Sequence, residues 1–139
     1  MDPLEPALRR YFETARPRGI VAAYLFGSRA RGAAHRESDV DVAVLFERAV
    51  FADRDARARE AVRLATNLIG ATHENQVDVV PLNDAPPELA VAAVSAGRRI
   101  YCTDAEADHA FLRTVLLRQA DLRPFLARAR RVKLRALAR

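Results

Sequence analysis

The chain has 139 residues, half of them apolar, with a formal net charge of +5. This size fits one compact domain with a real core. The single cysteine excludes a disulfide framework and a thiolate metal cluster, so any chemistry must use oxygen or nitrogen ligands. Because no stretch reaches the roughly 18 to 20 apolar residues that cross a bilayer, and the N-terminus lacks a signal-peptide pattern, we expect a cytoplasmic protein.

The first half of the chain is predicted to form a helix, two strands and a second helix. Asp2 is expected to cap a first helix with Pro3 in its first turn, and an apolar stripe at helical spacing runs from there to Ala15. Residues 20–26 are a continuous apolar run of the length of a buried strand. After a polar turn, residues 39–46 alternate as a second strand. A long helix over roughly residues 52–69 follows, and Gly70 is placed to end it.

The second half begins with residues 76–82, which repeat the alternation and predict a third strand. Asn83 or Asp84 is expected to cap a helix that starts at Pro86 and stops at Gly97. This order of elements places a helix after the second strand and another after the third.

The C-terminal part is predicted to contain a short edge strand and a last helix. The strand covers residues 99–102, and Thr103 with Glu106 predicts a capping box at the start of the helix. Beyond Asp121 the chain is basic and has no acidic residue. This segment could attract nucleic acid, an acidic protein face or phosphates, or it could be an ordinary solvated helix face.

The alternation of the second strand separates apolar from acidic side chains. Val40, Val42 and Val44 share one face, whereas Asp39 and Asp41 share the other. We therefore predict an α+β domain with a small mixed β-sheet, with helices packed on the valine face and the aspartate face partly open.

Three aspartates form the candidate catalytic and metal site. Asp39 and Asp41 are joined by Asp78 of the third strand, on the same predicted face. An unpaired carboxylate among apolar strand residues is costly, and Mg²⁺ prefers such hard oxygen ligands. Two aspartates at i and i+2 with one from a neighbouring strand can hold two cations, a geometry that suits phosphoryl transfer. Each aspartate alone would more often be an exposed strand residue than a metal ligand, and only the three together indicate the site.

The turn after the first strand is a candidate nucleotide-binding element. Gly27 lets the backbone approach a phosphate closely, Ser28 adds a hydroxyl donor, and Arg31 can reach a β- or γ-phosphate. A Gly-Ser pair alone is usually only a turn, so the interpretation depends on the nearby aspartates.

The segment at residues 27–41, GSRARGAAHRESDVD, reads as Gly-Ser, ten residues, then Asp-x-Asp. It resembles the signature of the DNA polymerase beta nucleotidyltransferase superfamily, and the short chain most resembles its minimal nucleotidyltransferase (MNT) family. The valine-flanked Asp78 and the Pro86-Pro87-Glu88-Leu89 helix start extend the resemblance over roughly residues 1–102. The resemblance implies Asp39, Asp41 and Asp78 as metal ligands, and Gly27, Ser28 and Arg31 as triphosphate-binding residues.

The resemblance also implies a function and a partner. Members of the family act as antitoxins beside a helical HEPN-type toxin, and some transfer AMP from ATP to a toxin tyrosine. The expected cofactor is Mg²⁺, as two ions, with ATP as substrate. Residues 1–103 would form the nucleotidyltransferase domain, and residues 104–139 a helical extension with a basic tail in the same compact unit.

Two other functions stay open from the sequence. The chain could neutralise a partner by binding alone, with a nucleotide site that does not catalyse. It could instead modify a small molecule such as an aminoglycoside, although such enzymes usually carry a further helical domain. A template-directed polymerase is disfavoured because no domain is left to grip nucleic acid, although contact through the basic tail is conceivable.

Overall fold

The computed structural model describes residues 3–27 and 39–120. Its helices are α1 Leu4–Ala15, α2 Arg54–Thr72, α3 Pro87–Ala96 and α4, described over residues 105–120. The strands are β1 Ile20–Phe26, β2 Val40–Phe46, β3 Val77–Pro81 and β4 Arg98–Cys102, and a short 3₁₀ turn covers Leu82–Asp84. The predicted order of helices and strands is confirmed.

The four strands form one sheet in the order β3-β2-β1-β4. Strand β1 pairs antiparallel with β2 and β4, whereas β2 and β3 pair in parallel. A parallel pair requires a crossover connection, and α2 supplies it. The predicted mixed sheet of an α+β domain is confirmed.

Helices α1 and α2 cover the valine face of the sheet. Their contact with the strands forms one core cluster of fully buried apolar side chains, which include Leu8, Phe12, Val40, Val42, Val44, Leu64 and Leu68. Val77 and Val79 of β3 belong to the same side. The alternation of β2 and β3 therefore predicted this face correctly.

Helices α3 and α4 cover most of the opposite face, so the prediction that helices pack on one face only was wrong. The second core cluster joins Ala43 and Leu45 of β2 to Ala90 of α3 and Val115 of α4. The physical reason is that the aspartate face becomes apolar after Asp41, and such a surface needs cover. The acidic part is therefore confined to one end of the sheet.

Helix α2 begins and ends differently from the prediction. The carboxylate of Asp53 accepts a hydrogen bond from the Ala56 amide at 2.7 Å, so Asp53 is the N-cap. The helix continues past Gly70 to Thr72, and His73 adopts the left-handed conformation that ends it, with φ 59°. Gly70 as the helix end was therefore wrong, because His73 provides the left-handed C-terminal residue instead.

The caps predicted for the last two helices were also wrong. Asn83 binds the backbone N–H and C=O of Phe46, at 2.9 and 3.0 Å, and Asp84 pairs with Arg57, so neither caps α3. Thr103 donates to the Ile20 carbonyl, and Asp104 accepts from the Ala107 amide at the start of α4. The side chains predicted as caps connect separate elements instead, and Asp104 caps α4 one residue later than expected. Sequence spacing does not distinguish a capping side chain from one that bonds to a distant element.

No helix within residues 3–27 and 39–120 is long and apolar enough to cross a membrane.

Candidate active site

The acidic end of the sheet lies where β2 and β3 begin and β1 ends. Asp41 is the direct neighbour of Asp78 in the parallel β2–β3 register, and it pairs with Phe26 at the end of β1. Asp39 lies one residue before β2. The structure therefore brings the three predicted carboxylates together, with Asp39 and Asp78 exposed and Asp41 half-buried between them.

The three carboxylates repel one another. The pKa of Asp41 is raised above its usual value, first by burial and then by the negative charges of Asp78 and Asp39. In the described part of the chain, no arginine, lysine or histidine forms a salt bridge with any of them. The amide of Gln76 donates to Asp78 Oδ1 at 3.3 Å, but it carries no charge. A cation bound at this end of the sheet would relieve the repulsion.

Gly27 approaches Asp41 at the end of β1. The residue has a φ of 79°, and a Cβ atom built on it would lie 2.6 Å from Asp41 Oδ2. Both the left-handed backbone and the close carboxylate favour glycine at this position. The predicted phosphate-binding turn therefore starts directly beside the acidic cluster.

The donor set fits a hard divalent cation. Carboxylate oxygens are the ligands that Mg²⁺ prefers, and substrate phosphates and water commonly complete its shell. Among residues 3–27 and 39–120, no group of three His, Cys, Asp or Glu side chains is already arranged to hold a metal ion. The fit of this site to a divalent cation therefore rests on the chemistry of the three carboxylates and on their mutual repulsion.

Two of the predicted nucleotide-binding residues, Ser28 and Arg31, lie outside the described residues. Sequence reasoning also missed a polar group that the structure places near the same face. Asp108 of α4 is only 2 % exposed and accepts a hydrogen bond from Tyr24 of β1. The available signal was an acidic residue on the inner side of α4, between the part-buried Ala107 and Phe111.

The fold and the acidic cluster define a class of domain that transfers nucleotides. Comparison with known proteins identifies the family. The chain belongs to the polymerase beta nucleotidyltransferase family, whose model matches residues 8–106. The match includes both described strands that carry Asp41 and Asp78. The predicted family and fold are confirmed.

One curated relative is the protein adenylyltransferase MntA of Shewanella oneidensis, which is 34 % identical over 96 residues. The alignment covers 69 % of this chain and 64 % of that protein, a little less than two thirds of its length.

Solved structures resemble the fold over nearly the whole chain. A crystal structure described as a toxin–antitoxin with AMP-PNP is 29 % identical, with a TM-score of 0.62, covering 90 % of this chain and 97 % of that one. A crystal structure of the toxin–antitoxin MntA-HepT is 25 % identical, with a TM-score of 0.60, and the match covers 91 % and 96 % of the two chains.

Proposed function

We propose that this protein is an antitoxin that transfers AMP from ATP to a tyrosine of a cognate HEPN-type toxin and thereby neutralises it. The observation that carries the proposal is the pairing of Asp41 with Asp78 at the open end of the sheet, beside Gly27. The relative named protein adenylyltransferase supports AMP transfer, and the similar toxin–antitoxin structure with AMP-PNP supports an ATP-like donor.

In the proposed site, the carboxylates bind the metal and the turn after β1 binds the triphosphate. Asp39, Asp41 and Asp78 would hold Mg²⁺, which we propose as two ions. Bound there, the metal supplies charge neutralisation on the phosphates and lowers the pKa of the attacking hydroxyl. Gly27, Ser28 and Arg31 would hold the triphosphate, since a glycine with a left-handed backbone leaves room for a phosphate.

The proposed reaction exchanges a phosphoanhydride bond of ATP for a phosphoester bond to the tyrosine. The tyrosine oxygen of the toxin bonds to the α-phosphorus of ATP, and the bond from that phosphorus to the oxygen bridging the β-phosphate breaks. The products are an AMP-modified tyrosine and pyrophosphate. We assign Asp78, which is exposed, to take the hydroxyl proton.

The proposal also covers the domain boundaries of the chain and the cellular location of the protein. Residues 1–103 would form the nucleotidyltransferase domain, and residues 104–139 a helical extension in the same compact unit. Support for one unit comes from Val115 and Asp108 of α4, which are buried against the sheet. A cytoplasmic location accompanies the proposed use of ATP.

Mass spectrometry of a HEPN-type toxin incubated with the protein, ATP and Mg²⁺ tests the activity. We expect one added AMP mass on each modified tyrosine. Asp39→Asn and Asp41→Asn should abolish transfer, because each removes a proposed ligand of the metal. Asp55→Asn is the matched control, since Asp55 is an exposed carboxylate in the first turn of α2 and its loss should leave transfer unchanged.

The same variants separate transfer from neutralisation by binding. If the toxin is neutralised equally by wild type and by folded Asp41→Asn, and no AMP is added, the protein acts by covering its partner. Modification of an aminoglycoside, with the toxin left unmodified, would assign a small-molecule acceptor. Transfer that persists in both aspartate variants would contradict the site assignment.

A further inference from the structure

A buried polar group joins the sheet to α4 on the face that carries the acidic site. The hydroxyl of Tyr24 in β1 donates to Oδ2 of Asp108, and Nη1 of Arg99 in β4 donates to the same oxygen at 3.2 Å. Tyr24 is 4 % exposed and Asp108 2 % exposed. Asp108 is the one acidic residue that is buried in the described part of the chain, residues 3–27 and 39–120.

The burial of Asp108 in this network lowers the stability of the fold. The second oxygen of Asp108, Oδ1, is buried and has no hydrogen-bond partner among the residues that the structure describes. Burying a carboxylate costs several kcal/mol unless it is fully paired, and an apolar pair of similar shape is often as stable. Burial, and then the hydrogen bond to Asp108, raise the pKa of Tyr24, so its hydroxyl stays protonated as the donor. The network therefore costs stability that an apolar contact would not.

An irregularity in the sheet brings Arg99 to this group. Ala23 pairs with Tyr101 and Tyr24 pairs with Arg99, which leaves Ile100 as an extra residue in β4. Ile100 is buried in the core cluster of the valine face, whereas the Arg99 side chain reaches Asp108 on the other face. Such bulges commonly redirect a side chain, and here the bulge supplies a positive charge to Asp108.

The network holds the strand that ends in the site. Tyr24 pairs with Ala43, and Phe26, two residues further along β1, pairs with Asp41, a step of about 7 Å. Between them, the carbonyl of Leu25 lies so close to α3 that a Cβ atom on Gly97 would come within 2.8 Å of it. The last residues of β1 are thus fixed by β2, by the end of α3, and by Asp108 of α4.

We propose that Asp108 is a positioning residue of the transfer site: through Tyr24 and Arg99 it fixes the end of β1, and so the placement of Gly27 against Asp41. Asp108 contacts neither nucleotide nor acceptor in this role. The inference rests on the proposed function, because placement of Gly27 matters for catalysis only if the turn after β1 holds the triphosphate. Misplacement by as little as 1 Å can cost up to about a hundredfold in rate.

Three single variants of the full chain test the proposal. Asp108→Asn keeps the shape and removes the charge, and Tyr24→Phe removes only the hydroxyl. Asp84→Asn is the matched control: it neutralises the carboxylate partner of a different arginine, the buried Arg57. Asp84 follows β3 at the far end of the sheet from Asp78. Amide signals of Gly27 and Asp41 in ¹H–¹⁵N spectra, thermal stability, and kcat/KM for ATP with Mg²⁺ are measured for each variant.

We expect Asp108→Asn to shift the Gly27 and Asp41 amide signals and to lower kcat/KM by about tenfold. Tyr24→Phe should do the same to a smaller extent, because Arg99 still binds Asp108. The double variant should cost less than the product of the two single effects, because both substitutions weaken the same hydrogen bond between Tyr24 and residue 108. Asp84→Asn should lower thermal stability while leaving these amide signals and kcat/KM within twofold.

The proposal is overturned if folded Tyr24→Phe and Asp108→Asn leave the Gly27 signal unmoved, or if their kcat/KM matches that of Asp84→Asn. If Asp108→Asn does not fold, Tyr24→Phe decides alone. Absence of AMP transfer by the wild type would contradict the proposed function instead. The Gly27 and Asp41 signals would still report whether Asp108 positions the end of β1.

Discussion

Gly27 and Asp41 lie in such close contact that a single added carbon on Gly27 would come 2.6 Å from Asp41 Oδ2. The two residues belong to different strand ends, β1 and β2, and their closeness follows from the pairing of Phe26 with Asp41. The contact brings the start of the predicted phosphate-binding turn to the centre of the acidic cluster. The position of the phosphate-binding turn and the position of the acidic cluster therefore constrain each other.

Gly27→Ala should impair both stability and transfer. The methyl group would meet the carboxylate of Asp41, and the φ of 79° is unfavourable for alanine by about 1 to 2 kcal/mol. We expect a loss of at least that much in the free energy of unfolding, and a loss of AMP transfer of about a hundredfold because the turn must move. Urea unfolding and the mass-spectrometric assay measure the two effects.

The control for this variant is Gly70→Ala. Gly70 lies within α2, and a Cβ atom there would meet no atom of the described residues within 4 Å. Alanine is favoured over glycine inside a helix by about 1 kcal/mol, so this variant should be more stable and fully active. Full transfer by Gly27→Ala would show that the turn does not need glycine.

Asp41→Asn should stabilise the metal-free protein and abolish its activity. The pKa of Asp41 is raised in the folded state, so its ionised form costs stability at neutral pH, and a neutral amide removes the repulsion by Asp78 and Asp39. Transfer should fall by about a thousandfold or more, because several kcal/mol of charge stabilisation in the transition state would be lost. Stabilised but inactive variants are a common result at sites under electrostatic strain.

Thermal unfolding with and without Mg²⁺ measures this effect. Mg²⁺ at about tenfold over its Kd should stabilise the wild type by about 1.4 kcal/mol and should have little effect on Asp41→Asn. Asp55→Asn, which removes an exposed carboxylate of α2, should respond to Mg²⁺ as the wild type does. A lower melting temperature of metal-free Asp41→Asn would contradict the repulsion argument.

The strand positions of the site could be predicted because side-chain alternation is a local property. Asp41 and the valines that flank it had to lie on opposite faces of β2, and the same rule applied to Asp78 of β3. The family signature then linked Gly27 to the same end of the sheet. The parallel register that makes Asp41 and Asp78 direct neighbours is a tertiary fact, and the structure supplied it.

Contacts between distant elements could not be predicted in this way. Asp84 and Thr103 are residues that cap helices in many proteins, but here Asp84 binds Arg57 and Thr103 binds the start of β1. The contact of Arg99 with Asp108 depends on a bulge in β4, which no residue type in that strand predicts. Short polar side chains near a helix start can serve the local backbone or a distant partner, and only tertiary packing decides.

The ion pair of Arg57 and Asp84 should be important for stability and unimportant for transfer. Nε and Nη2 of Arg57 donate to the two oxygens of Asp84 at 2.8 and 2.7 Å, and Nη1 donates to the Phe51 carbonyl at 3.0 Å. Arg57 is only 5 % exposed. Asp84→Ala would leave the positive charge of Arg57 largely buried and without its carboxylate partner, which should lower the free energy of unfolding by about 3 kcal/mol. Urea unfolding should show this loss, while AMP transfer by the folded variant stays within twofold.

The same ion pair should make stability depend on pH in the acid range. The hydrogen bonds that Asp84 accepts from Arg57 hold the pKa of Asp84 below the ordinary value of 3.8. A carboxyl whose pKa is lowered by folding binds fewer protons in the folded state, so its contribution is fully present above the unfolded pKa. That contribution is lost as the pH falls through the lower folded pKa. The stability difference between wild type and Asp84→Asn, measured by urea unfolding, should therefore be constant from pH 7 to about 5 and shrink below about 4. A difference that grows on acidification would have the wrong sign for this pair.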